Sequence, residues 1–174
     1  MLTATAAAAA LIVAGLTGWY PYANLTPGRP AATLQPGASA EVEGVRYRLD
    51  RFVVATSLPA EDPKDPPVVG PAGSALVLVV VNQTVLDRSV RLDEHLCDMT
   101  LVDDDGANEW WVDSDYTTLA ARPAGYGCAD SDEAPLRYGV GQDTGFSFAV
   151  PADAVGHLSA RLQVSHGPTL ALRP

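Results

Sequence analysis

The sequence predicts an all-β protein, a β-sandwich of about seven to nine short strands, and three observations carry that prediction. Ala75 to Val81 is a run of seven apolar residues, four of them valine, bounded by Gly73 and Asn82. The run is too short to span a membrane and too β-branched for a comfortable helix, so Ser74 to Asn82 reads as a central strand buried on both faces. Around it, short segments alternate apolar and polar residues and are separated by Gly, Pro, Asn and Asp turn signals. No helical period appears after the N-terminal apolar stretch.

That stretch, Leu2 to Gly18, carries no charged side chain, and Trp19, Tyr20 and Tyr22 follow where amphipathic rings sit at a membrane interface. About 17 apolar or small residues just reach across the hydrocarbon core of a bilayer. Residues 1–22 therefore read as an uncleaved single-pass signal anchor. A cleaved signal peptide, with Ala14 and Gly15 as its small pair, competes with this reading but lacks a basic n-region. Residues 23–38 have the Pro, Gly, Ala and Thr content of a flexible linker, which leaves 39–174 for the extracytoplasmic domain.

Within the domain, Ser39 to Val42 and the strand from Val45 form a hairpin about Glu43 and Gly44. Val45, Tyr47 and Leu49 alternate with polar residues before the apolar parity moves to Phe52 and Val54, as a β-bulge near Asp50 and Arg51 would require. Residues 57–73 hold five prolines and four charged residues and read as a long surface loop without regular structure. Leu86 to Asp93 carries the chain across the sandwich. The turn Asp103 to Asn108, DDDGAN, joins the next strand to Trp110 and Trp111. Residues 114–144 are loop-like. Phe146, Phe148 and Val150, then Leu158, Ala160, Leu162 and Val164 after a turn at Pro151 to Gly156, mark two antiparallel strands with one buried face each; Thr169 to Leu172 adds a short last strand.

Charge limits the partners. A net charge of -10 repels both phosphate backbones and anionic headgroups, so nucleic acid is not an expected partner and membrane contact is confined to the N-terminal helix. Cys97 and Cys128 are the only cysteines. An even count downstream of an export segment reads as a disulfide, which persists outside a reducing cytosol.

Three constellations have chemical content. His95, Cys97 and Met99 share one strand face at a spacing that suits Cu(I), but a disulfide would remove the thiolate, and a core-facing Cys and Met beside a satisfied His is the better account. Asp103, Asp104, Asp105 and Asn108, with Asp113 and Asp115, are hard oxygen donors suited to Ca²⁺, without the ligand order of an EF-hand; an ordinary solvated turn explains them. Trp110 and Trp111, adjacent on a strand, must face opposite sides, so one of them is exposed or lies under a loop, and an exposed Trp is the kind of anchor binding surfaces use. No nucleophile elbow, zinc-protease motif or phosphate loop is present, so no catalytic residue and no cofactor is assigned.

The run VLVVVNQT, the strand and hairpin MTLVDDDGANEWW, and the later GFSFAVPADA and LSARLQV together resemble the DUF4352-type immunoglobulin-like domains of bacterial lipoproteins and membrane-anchored surface proteins, over roughly residues 37 to 166. The resemblance implies an extracytoplasmic immunoglobulin-like β-sandwich with no established catalytic residues. The cysteine pair and the long Pro-rich stretch depart from the usual pattern. The expectation is a non-catalytic, membrane-tethered domain that binds a protein or cell-envelope component through loops at one end. A metal-handling accessory protein is the alternative, and a hydrolase comes third.

Overall fold

The computed structural model describes residues 30–60, 64–112, 128, 135–165 and 167–174. The signal anchor expected over 1–22, most of the loop-like stretch 114–144, and Asp113 and Asp115 lie outside the described residues. Among those described, no helix is long and apolar enough to cross a membrane.

Two sheets, antiparallel except for one edge pair, face each other. One sheet has four strands in the order β2 (Ser39–Val42), β3 (Val45–Ala55), β6 (Ser74–Val85) and β9 (Gly141–Pro151). The other has five, in the order β1 (Ala32–Leu34), β11 (Thr169–Leu172), β10 (Leu158–Val164), β7 (Cys97–Asp103) and β8 (Glu109–Trp111). The connection from β6 to β7 crosses between the sheets through a short 3-10 helix, Leu92–Glu94, as the sequence suggests for this segment.

β6 is an interior strand, flanked by β3 and β9, and Leu76 to Val81 are all 2% exposed or less. Its odd-numbered residues, Ala75 to Val81, join the main core between the sheets with Tyr47, Leu49, Phe148, Met99, Leu101 and Leu162. Leu76, Leu78 and Val80 point the other way, into a second cluster with Leu58. A strand of a two-layered sandwich has solvent on its outer side unless something covers it, and here the Pro-rich segment does so. β4 (Ser57–Leu58) and β5 (Val68–Val69) pair as a small antiparallel ladder, and Leu58 and Val68 lie on the outer cluster. The stretch expected to lack regular structure thus contains two short strands. Leu58 precedes Pro59 and Val68 follows Pro67, so no proline falls within the ladder, where its missing N–H would cost a bond.

The register between β3 and β6 shifts between Leu49 and Arg51, leaving Asp50 as the extra residue. The bulge turns Phe52 toward the main core, while Val53 and Ala55 pack on the outer cluster under the β4–β5 ladder. Val54, expected inside with Phe52, is 36% exposed because the covered side of the strand at this point is the outer one. The β2–β3 turn places Glu43 and Gly44 both at positive φ, 50° and 77°, the conformation of a two-residue hairpin turn of the primed type. Gly44 is needed here twice over, since a Cβ would also lie 2.6 Å from Cβ of Asp87.

Two boundaries move. β1 lies at Ala32–Leu34, inside the stretch of linker composition, and pairs parallel with β11, so the sandwich starts earlier than residue 39. β9 begins at Gly141 rather than near Phe146, and its first residues continue the ladder with Thr84, Gln83 and Asn82. Both are edge strands whose polar or small side chains hide the pattern while backbone pairing sets the conformation.

Candidate functional site

The outer face of the four-stranded sheet is covered by the β4–β5 ladder, while that of the five-stranded sheet carries the exposed Trp111. Beneath the β4–β5 ladder the four-stranded sheet is apolar. On the other sheet, Asp98 and Thr100 of β7, Ser159, Arg161 and Gln163 of β10, and Thr169 and Ala171 of β11 alternate with the core residues and face outward. The register sets Trp111, Thr100, Arg161, Ala171 and Thr33 in one row across this face. Trp111 is 69% exposed at its β8 margin, with Arg161 reaching Glu109 at 3.4 Å. Trp110, opposite Leu101, turns inward and packs half-buried on the main core. The two tryptophans divide as adjacent strand residues must.

The hairpin between β7 and β8 uses its acidic residues to build the turn. The Asp103 carboxylate accepts the Ala107 amide at 2.8 Å and the Asn108 side-chain amide at 2.7 Å, while its carbonyl accepts Gly106 N–H at 3.0 Å. The Asn108 hydrogen bond, followed by those of the backbone, holds the Asp103 carboxyl below the usual range. Asp104 lies 3.2 Å from Nδ1 of His157. The oxygens do not converge: among the described residues no three His, Cys, Asp or Glu side chains are placed to hold a metal ion. Asp113 and Asp115 of the calcium reading lie outside the described residues.

Cys97 and Cys128 form a disulfide, with Cα atoms 5.1 Å apart and both side chains buried. This also removes the copper reading, because Cys97 holds no thiolate and His95 does not share the strand. His95 precedes β7, 6% exposed, with its ring committed to a polar network in the core. Its Nε2 lies 3.1 Å from the Tyr47 hydroxyl and 3.3 Å from Gln83 Oε1, and Gln83 Nε2 donates to the Cys128 carbonyl at 3.2 Å. Gln83 and Tyr47 are both fully buried. A carbonyl only accepts, so the Cys128 oxygen fixes the Gln83 amide with its nitrogen toward the disulfide and its oxygen toward His95. The Gln83 oxygen facing Nε2 assigns the ring hydrogen to that nitrogen, with the Tyr47 hydroxyl as its second neighbour. Burial pushes the Tyr47 hydroxyl well above its ordinary pKa, with Glu43 adding to the effect.

Neither Tyr47 nor Gln83 stands out in the sequence as part of a site. The available signal was parity: Gln83 occupies an inward position of β6, two residues after Val81 and two before Val85, where a polar side chain needs a partner.

Burial holds the His95 pKa below that of a free imidazole, opposed in part by the Glu43 carboxylate. On acidification the unfolded chain takes up this proton first, near the ordinary value of about 6.5, while the folded ring resists it. Stability linked to His95 is therefore complete above that value and falls as pH drops toward the lower folded-state pKa. His95→Gln, which can still donate to Gln83, should flatten the fall in denaturation midpoint below about pH 6.5. Parallel pH curves for the two proteins would show that the ring titrates alike in both states.

No protein-family model matches the chain, and no curated protein matches its sequence. Among solved structures, the chain is similar to an uncharacterised β-sandwich protein from Clostridium difficile 630, with a TM-score of 0.51 and 8% identity, over 81% of this chain and 92% of that one. It is also similar to a conserved hypothetical protein from Bacillus anthracis, with a TM-score of 0.53 and 10% identity, over 78% of this chain and 94% of that one. At such identities the likeness concerns the fold: this chain is a β-sandwich.

Proposed function

We propose that this β-sandwich is an immunoglobulin-like, non-catalytic extracytoplasmic domain, tethered to the membrane by its N-terminal apolar segment, that binds a protein or cell-envelope component through the open face of its five-stranded sheet. The observation that carries the reading is Trp111. A large aromatic ring 69% exposed on a sheet face whose outward residues are mostly polar contributes little to folding, while the apolar outer face of the opposite sheet has its own cover. The buried disulfide supports the exterior location, since such bonds persist where thiols are not kept reduced. The resemblance to DUF4352-type domains of membrane-anchored surface proteins points the same way.

The test uses the tagged full chain to capture partners from a cell-envelope extract, compared with Trp111→Ala. The substitution is expected to weaken capture about tenfold or more, as loss of a central aromatic anchor does. Its thermal midpoint should stay close to that of the parent, because the ring is largely outside the core. Equal capture by both proteins would remove Trp111 from the binding surface.

A further inference from the structure

At the end of β7 opposite the β7–β8 hairpin, a cavity of about 260 Å³ opens between the β2–β3 turn, the segment leading into the 3-10 helix, and Ser165 after β10. Its volume is just below the range of about 300–1,000 Å³ that drug-sized ligands occupy. His95 forms part of the wall. With Nε2 carrying the hydrogen, the neutral ring presents Nδ1 as a bare lone pair. Nδ1 has no hydrogen-bond partner among the described residues, where no solvent-sealed side-chain nitrogen or oxygen lacks one. Nδ1 is therefore reached by solvent on an otherwise buried side chain, and the cavity is the space that reaches it.

The rest of the lining has one chemical character. Glu43 forms no ion pair among the described residues, and its carboxylate lies over Gly167, where a Cβ would come within 2.8 Å of it. The cationic side chain at the cavity, Arg91, is held by Asp93 at 3.0 Å and Glu94 at 2.7 Å. The Ser165 hydroxyl is committed to the backbone of Leu96, donating at 2.6 Å to its carbonyl and accepting its N–H at 3.0 Å. Val45, Val90 and Val164 supply apolar wall. Among the described residues, what is left without a partner is a pair of acceptors, one neutral and one anionic, above an aliphatic surface. Two donors do not make a metal site, and an anion would meet Glu43 and Glu94 with Arg91 already engaged.

We infer that this cavity binds a small alkylammonium compound, whose ammonium group donates hydrogen bonds to His95 Nδ1 and the Glu43 carboxylate while its chain lies against Val45, Val90 and Val164. The site is separate from the Trp111 face and does not depend on it. Protonating His95 turns Nδ1 from acceptor to donor and places a positive charge beside the ligand. Among the described residues, Glu43, Arg91 and Glu94 are the other charged groups lining the cavity, with Asp93 paired to Arg91, and Tyr47 is held neutral by burial.

The experiment is nitrogen-15 NMR of the imidazole rings in the full chain, titrated with n-butylammonium chloride and, separately, with sodium butyrate at about pH 7.5. The expected result is a His95 ring in the Nε2–H form whose Nδ1 resonance shifts saturably with butylammonium and not with butyrate. Glu43→Gln, an isosteric change on an exposed turn, should weaken binding about fivefold. A ring in the Nδ1–H form, the absence of a saturable shift, an equal response to butyrate, or full affinity in Glu43→Gln would each overturn the assignment.

Discussion

Replacing Cys97 and Cys128 together with alanine is expected to lower stability by roughly 3.5 to 4 kcal/mol, on the chain-entropy account of a cross-link closing a loop of this size. The two cysteines are 31 residues apart in sequence. With the bond gone the unfolded chain gains the freedom that the link removed, and the native state loses packing around two buried sulfurs. For a domain of this size the thermal midpoint should fall by about 10 °C or more. Denaturant or thermal unfolding of the double variant against the oxidised parent measures the difference. A loss below about 1 kcal/mol would mean that the unfolded chain is already restricted in this region.

The second large effect is expected at Gln83. Its side-chain amide is the only group among the described residues that joins His95 to the Cys128 carbonyl. Gln83→Leu matches its size but leaves the Cys128 oxygen without its donor and deprives His95 Nε2 of one of its two partners. Buried polar groups left unpaired cost roughly 1 to 3 kcal/mol each, so a total near 3 kcal/mol is expected. Tyr47→Phe removes one hydroxyl from the same network while Gln83 continues to hold His95, so its cost should be smaller, about 1 kcal/mol. Chemical denaturation of the two variants and of the double variant measures both values and their coupling. Equal small losses for both would show that water replaces the missing partners.

What the sequence disclosed follows from where its signals are local. The β6 run, the Glu43–Gly44 and Asp103–Asn108 turns, and the change of parity at Asp50 each depend on a few adjacent residues whose backbone preferences are strong. The cover over β6 was hidden because Leu58 and Val68 are isolated apolar residues among prolines, and only the opposed Leu76, Leu78 and Val80 reveal their purpose. β1 was hidden for a similar reason, as three residues paired with a strand at the far end of the chain. Trp110 and Trp111 were legible as a pair with opposite directions, but which of them faces out was decided by the β7–β8 register. The polar network was missed because it joins four positions far apart in sequence, Tyr47, Gln83, His95 and Cys128, each of which alone resembles an ordinary core residue.

Under the proposed function the domain works oxidised, outside the cytosol. The direct measurement is the thiol state of Cys97 and Cys128 in intact producing cells, with free thiols blocked by a permeant alkylating reagent before lysis and the full chain then digested and weighed by mass spectrometry. The expected result is a cross-linked peptide pair carrying residues 97 and 128, with alkylation of either cysteine only after reduction. Both cysteines alkylated without reduction would contradict the exterior location and the stabilising role of the bond alike.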